Sequence, residues 1–106
     1  MEQLNSLEKH EFIRHAMYLL GMAMETPKGV DMFVEWYGHV DALHVFITHN
    51  ALYVNKKHKD YDEERERHIY RTEVRGRGDE PVKNLIKTIN ECQQVLDKLK
   101  QEQEVA

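Results

Sequence analysis

The chain has 106 residues, which is enough for one domain with a single hydrophobic core and too few for two. Charged residues make up 32% of it and hydrophobic residues 41%, a balance typical of a small globular protein rather than a disordered chain. The net charge of −4 argues against a protein whose whole surface binds nucleic acid.

Cysteine content and hydropathy predict the compartment. Cys92 is the only cysteine, so no intramolecular disulfide can form, and a reducing compartment is the simplest interpretation. No stretch approaches the roughly 18 apolar residues of a membrane span. The first residues also lack the basic and apolar regions of a signal peptide. We therefore expect a cytoplasmic protein with no membrane contact.

Apolar residues at three- and four-residue spacings predict a first helix over about 6–25. Thr26 and Pro27 should end it, because proline cannot donate to the preceding turn. We expect the whole apolar stripe to be buried against a sheet. Its members are Phe12, Ile13, Ala16, Met17, Leu19, Leu20, Ala23 and Met24.

Residues 30–50 alternate in the manner of two β-strands around a turn within Gly38–Asp41. Gly38 is expected to supply any positive φ that the turn requires. One face of this hairpin is almost purely apolar, and we expect the core beneath it. That face carries Met32, Val34 and Trp36 on the first strand, and Leu43, Val45 and Ile47 on the second.

Residues 50–66 are the least predictable part of the chain: residues 51–54 either prolong the strand or form a turn of helix, and the mixed charge of residues 56–66 predicts an exposed loop. A strand over about 67–75 and a last helix follow. Asp79 is a suitable N-cap for that helix, with Glu80 and Pro81 in its first turn. The helix should continue to near residue 102. Its apolar stripe is Val82, Leu85, Ile86, Ile89, Cys92, Leu96 and Leu99.

The element order is helix, strand, strand, strand, helix. Short connections favour a meander of three antiparallel strands, and both helical stripes are buried if both helices cover one face. The predicted fold is therefore α+β, a two-layer sandwich with helix–three antiparallel strands–helix order in a single domain over 1–106.

Catalytic patterns are absent from the sequence. Ser6 is the only serine and lies near the N-terminus, and Cys92 falls on the apolar stripe of the last helix, where a buried thiol is expected. The best metal-binding pair is His39 with Asp41, although a loop histidine bonded to nearby backbone is the simpler interpretation. We predict no catalytic residues, no metal and no cofactor; a metal-dependent hydrolase using that pair is the least favoured alternative.

The second face of the sheet is the predicted functional surface. If both helices cover the aliphatic side, two phenylalanines and a tyrosine remain on the other, and such an apolar patch is typical of an interface. The alternatives are that one helix packs on each face, or that the loop 50–66 folds across. The predicted partner-binding residues are Phe33, Tyr37, His44, Phe46 and Arg71. The same face is expected to carry Ile69, Glu35, Thr48 and Glu73.

A second hypothesis uses the same face differently. Exposed aromatic rings can stack the bases of single-stranded nucleic acid while nearby cations bind phosphates. Those cations would be Lys56, Lys57, Lys59, Arg71, Arg75 and Arg77.

The stretch WYGHVDALHV resembles small, mostly uncharacterised phage and prophage proteins in which a helix precedes an aromatic-Gly-His-Val-Asp hairpin. The matching positions are Trp36, Tyr37, Gly38, His39, Val40, Asp41, Leu43 and Val45. The resemblance covers about ten residues and ends at His49-Asn50-Ala51, where the Gly-Trp that follows in those proteins has no counterpart. The element order is also similar to that of some anti-CRISPR proteins.

This resemblance implies an accessory protein of a mobile element. Together with the aromatic face, it leads us to expect a non-enzymatic protein that binds a host or phage protein and inhibits it by steric occlusion. We also expect it to self-associate as a homodimer.

Overall fold

The computed structural model describes residues 6–49 and 68–105. Within these ranges the elements are α1 (Ser6–Ala23), β1 (Val30–Tyr37), β2 (Ala42–His49), β3 (His68–Arg75) and α2 (Pro81–Val105). The three strands form one antiparallel sheet in the order β1-β2-β3. The predicted α+β fold and its element order are confirmed. The loop predicted over 50–66 lies outside the described residues.

α1 ends at Ala23, two residues before the predicted end. The amides of Met24 and Glu25 donate to the carbonyls of Gly21 and Met22 at 3.2 and 3.1 Å, so the chain closes the helix with i→i−3 bonds. Pro27 then prevents further helix, and its carbonyl accepts the amide of Val30 at 3.1 Å as β1 begins.

The hairpin turn lies where it was predicted, but its strained residue is not the glycine. Tyr37 pairs with Ala42, which leaves the four loop residues 38–41. Asp41 has φ 47°, while Gly38 is not in the left-handed region, so the prediction for Gly38 was wrong. The last loop residue takes the left-handed conformation as the chain returns to the strand direction, and aspartate tolerates it because its side chain is short and polar.

The start of α2 also differs from the prediction. The carbonyl of Glu80 accepts the amide of Asn84 at 3.0 Å, the first bond of the helix, so Glu80 and not Asp79 occupies the capping position. Asp79 contributes only its backbone carbonyl, which accepts the Asn84 side-chain amide at 3.0 Å. Pro81 is the first helical residue, where its missing amide costs nothing.

Both helices lie on the predicted side of the sheet. The register pairs Met32 with Ile47 and Val34 with Val45, so the aliphatic residues of neighbouring strands form rows on one face. These rows pack with both helices in a single hydrophobic cluster. Its buried members are Phe12, Leu19, Val30, Met32, Leu43, Val45, Ile47, Val74, Leu85, Cys92 and Leu96.

The apolar stripe of α1 is buried only in part, contrary to the prediction. Phe12 and Leu19 are in the core, but four other members of the stripe are exposed. The main contacts of α1 are with α2 and β1. Neither described helix carries an apolar stretch long enough to cross a membrane. The exposed members are Ile13, Met17, Leu20 and Met24.

Candidate functional site

The sheet face away from the helices, which we call the open face, carries most of the predicted partner-binding residues. The register aligns Phe33, Phe46 and Arg71 in one row across the three strands. A second row contains Glu35, His44 and Glu73. Because directly opposed residues of antiparallel strands share a face, the open face follows from the pairing alone.

The rings of the open face contact one another in a continuous series. The Tyr37 and His44 rings meet edge to face with centroids 4.5 Å apart, and the His44 and Phe46 centroids are 6.1 Å apart. The guanidinium of Arg71 lies 5.3 Å from the Phe46 centroid, within cation–π distance. Phe33, on the edge strand, is 46% exposed. The face therefore carries a series of aromatic rings that ends at the Arg71 guanidinium.

Charged groups cross the open face beside these rings. Glu73 accepts from Arg75 Nε at 2.8 Å, and its other oxygen lies 3.6 Å from His44 Nε2. The Tyr37 hydroxyl donates to Glu35 Oε1 at 3.5 Å. The acidic groups thus stand next to aromatic rings, an arrangement that can discriminate between partners by charge.

Of the residues predicted on this face, Ile69 lies elsewhere, and Thr48 lies on the face but is buried. Ile47 pairs with Tyr70 but Thr48 pairs with His68, so Ile69 stands between two pairs as a β-bulge. The extra residue interrupts the alternation, and Ile69 packs against the core cluster instead of lying open. Thr48, next to the bulge, is buried.

Of the proposed phosphate-binding cations, the structure describes Arg71, Arg75 and Arg77. Arg75 is bound by Glu73, and Arg77 forms an ion pair with Asp41 at the hairpin turn. Both arginines therefore already have an acidic partner. Lys56, Lys57 and Lys59 lie outside the described residues.

The pair His39 and Asp41 does not converge. The Asp41 carboxylate faces Arg77, while the His39 ring packs edge to face on Tyr37 with centroids 6.4 Å apart. Within residues 6–49 and 68–105, no group of three or more His, Cys, Asp or Glu side chains is placed to hold a metal ion.

Cys92 is fully buried, as predicted. Burial, with a smaller contribution from the Glu91 charge, raises the pKa of the Cys92 thiol to about 12. Such a thiol stays protonated at neutral pH and is a poor nucleophile. Beside it, the Tyr70 hydroxyl donates to Glu91 Oε1 at 2.8 Å, and burial together with this bond raises the pKa of Tyr70.

A groove between α1 and the hairpin is a second surface, which the sequence did not predict. Its volume is about 530 Å³, within the range of binding sites for small molecules or peptide segments. Trp36, predicted in the core, instead forms one wall and is 49% exposed, with its ring edge to face on Phe12 at 6.0 Å. The apolar walls include Phe12, Ile13, Met17, Leu20, Val34 and Trp36.

The signal for this groove was the width of the apolar stripe on the first helix. A helix that packs on a sheet and on one neighbouring helix needs a narrower stripe than the one α1 carries.

Comparison with known protein families, with curated proteins and with solved structures gave no match.

Proposed function

We propose that this protein is a non-enzymatic interaction protein that binds another protein through the open face. The observation that carries this proposal is the continuous series of contacts from Tyr37 through His44 and Phe46 to Arg71. Its support is chemical: aromatic residues and arginine dominate the binding energy of protein interfaces, because they present large rigid areas with few rotatable bonds.

The mechanism that suits this surface is steric occlusion. A small domain that covers part of its target prevents another molecule from binding there, and it needs no catalytic group. The resemblance of the hairpin to phage and prophage proteins favours an accessory protein of a mobile element, with a host or phage protein as target. The lone buried Cys92 fits the reducing conditions of a cytoplasmic location.

The experiment compares partner capture by two matched double variants. Tyr37→Ser/Arg71→Glu removes a ring and reverses a charge on the open face. Ile86→Ser/Lys87→Glu removes an apolar side chain and reverses a charge at exposed positions of α2 on the helical side. Tagged wild-type protein and both variants are incubated with lysate of the organism that carries the gene, after thermal unfolding has shown that all three are folded.

The expected result is a captured protein whose recovery falls only with the open-face variant. The loss should be roughly tenfold or more, since each 1.4 kcal/mol of lost binding energy is tenfold in affinity. Equal recovery with both variants, or no captured protein from any form, contradicts the proposal.

A single-stranded nucleic-acid binder is the second candidate function. Arg71 over the Phe46 ring, with Arg75 two rows away on the same strand, is the arrangement that favours it. Glu35 and Glu73 weigh against it because they would repel phosphates. Fluorescence anisotropy with labelled oligonucleotides at two salt concentrations tests it: binding that weakens with salt supports it, and no binding at micromolar protein excludes it.

A further inference from the structure

The groove on the helix side of the sheet has one charged end and one apolar end. The connection between α1 and β1 is short, and the Phe12 ring contacts Trp36 near the end of β1, so the helix runs antiparallel to the strand. Lys9, which lies about one turn before Phe12, is therefore at the hairpin-turn end of the groove. Leu20, close to the connection, is at the opposite end.

Three charged side chains line the groove, and two of them neutralise each other. Arg77 forms an ion pair with Asp41 at the hairpin turn. The ion pairs within α1 involve Glu11, and Lys9 has no acidic partner among the residues that the structure describes. The lining of the groove therefore has one positive charge in excess, at its hairpin-turn end.

We propose that this groove binds a straight-chain aliphatic carboxylate of the fatty-acid type. The carboxylate lies at Lys9, and the tail extends over the Trp36 ring toward Leu20. An anion is selected because the excess charge is positive, and one carboxylate balances one lysine. An unbranched tail is selected because the walls beyond the charged end are apolar side chains, from which the tail displaces water.

The length and volume of the groove fit a tail of medium length. Lys9 and Leu20 are separated by about 17 Å along the helix axis, at a rise of about 1.5 Å per residue. At about 30 Å³ for each non-hydrogen atom, the share of one water in the liquid, the volume of about 530 Å³ holds on the order of 18 such atoms. An extended dodecanoate ion is close to this length and below this size.

The groove lies on the opposite side of the sheet from the open face, so this inference goes beyond the proposed function and can fail without it. Trp36 is the only tryptophan and lines the groove, so its emission reports directly on the occupant. Dodecanoate is titrated into the full chain, with decanoate as a shorter ligand and dodecyltrimethylammonium as a cation with the same tail. Calorimetry on the same solutions gives a second measure of each affinity.

The Trp36 emission should shift to the blue as the tail covers the half-exposed ring. Decanoate should bind about tenfold more weakly than dodecanoate, because each fully buried methylene is worth about fourfold in affinity. The cation should also bind roughly tenfold more weakly, because Lys9 attracts the carboxylate and repels the ammonium group.

Two pairs of variants separate the charged head from the tail. Lys9→Gln should weaken dodecanoate binding by about threefold to fivefold, as for an exposed ion pair, and leave dodecanol binding unchanged. Its control is Lys87→Gln, at an exposed position of α2 outside the groove lining. Leu20→Ser should weaken both ligands by about fivefold. Its control is Tyr18→Ser, since Tyr18 is 57% and Leu20 52% exposed on the same helix, but Tyr18 does not line the groove.

Circular dichroism first establishes that the four variants keep the helical content of the wild type. No saturable binding of dodecanoate to the wild type overturns the proposal. Equal affinity for the anion and the cation, or equal effects of Lys9→Gln and Lys87→Gln, overturns it as well, because the groove then selects no charge. A blue shift that grows with protein concentration in the absence of ligand would indicate a second copy in the groove and would also overturn it.

Discussion

The indole of Trp36 lies against Gly76, so closely that a Cβ added at Gly76 would meet Trp36 Cη2 at 2.7 Å. Trp36 is on β1 and Gly76 follows β3, so the ring spans the sheet above Leu43, which pairs with Trp36. The Gly76 amide donates to the Asp41 carbonyl at 2.6 Å, which holds the glycine backbone in place beneath the ring. The missing side chain at Gly76 is therefore what allows Trp36 to form the groove wall.

Gly76→Ala should displace the Trp36 ring toward solvent. The expected result is a red shift of the tryptophan emission and a loss of about 1–3 kcal/mol in the free energy of unfolding, as in other overpacked sites. Gly38→Ala is the control, because its Cβ would meet Trp36 Nε1 at an ordinary 3.6 Å. Denaturant unfolding followed by fluorescence measures both effects, and an unchanged emission for Gly76→Ala would show that the ring does not lie there.

Replacing Asp41 with asparagine should destabilise the fold less than replacing it with a β-branched residue. Asp41→Asn loses the partly exposed ion pair with Arg77, which is worth about 1 kcal/mol or less. Asp41→Val loses the same pair and also places a β-branched residue at φ 47°, which adds about 1–2 kcal/mol. Thermal unfolding of the two variants separates the charge from the backbone effect. Equal destabilisation by both would mean that this backbone strain is absent.

Removing the cation from the open face should leave the fold intact. Arg71 is exposed, and its contact with the Phe46 ring at 5.3 Å is worth about 0.5–1 kcal/mol. Arg71→Ala should therefore lower the free energy of unfolding by no more than that, as measured by urea denaturation. A larger loss would give the guanidinium a structural role and would weaken its assignment to partner binding.

Stability should fall in alkaline solution. An unfolded Cys92 thiol loses its proton near the ordinary pKa of 9.0, whereas burial holds the folded thiol to about 12. Between these values the unfolded state binds fewer protons, so the free energy of unfolding decreases, by about 1.4 kcal/mol per pH unit for a full proton. The raised pKa of Tyr70 acts in the same direction above pH 10.0.

Urea denaturation at several pH values measures this slope. Cys92→Ala should be less stable at neutral pH because of the cavity, yet lose stability less steeply above pH 9.0 than the wild type. The slope that remains belongs to Tyr70 and should decrease further in Tyr70→Phe. Identical slopes for wild type and Cys92→Ala would contradict the buried, protonated thiol.

The sequence predicted which residues share a face more reliably than what covers each face. Strand alternation placed Met32 and Ile47 on the core side and Phe33 and Phe46 on the other, because the side-chain period of a strand is two. The bulge at Ile69 was not predictable, because one extra residue in a strand does not change its composition. The residues on the two sides of the bulge then no longer follow one common alternation between the faces of the sheet.

The exposed half of α1 was missed for a different reason. Helical spacing put Ile13, Met17 and Leu20 on a stripe with Phe12, but spacing does not reveal how many neighbours surround a helix. Trp36 was likewise assigned to the core by strand parity alone. Its half-exposed position depends on its edge strand and on Gly76, about forty residues later in the chain.

Photo-crosslinking from the open face tests the recognition surface most directly. A benzophenone amino acid is placed at position 33, where it replaces the exposed ring of Phe33 with another aromatic ring and leaves Arg71 in place, and in a control at position 86, where it replaces the exposed Ile86 of α2. Binding through the open face predicts a covalent adduct with one protein of different sequence from position 33 and none from position 86. No adduct from position 33, or the same adduct from both positions, would contradict it.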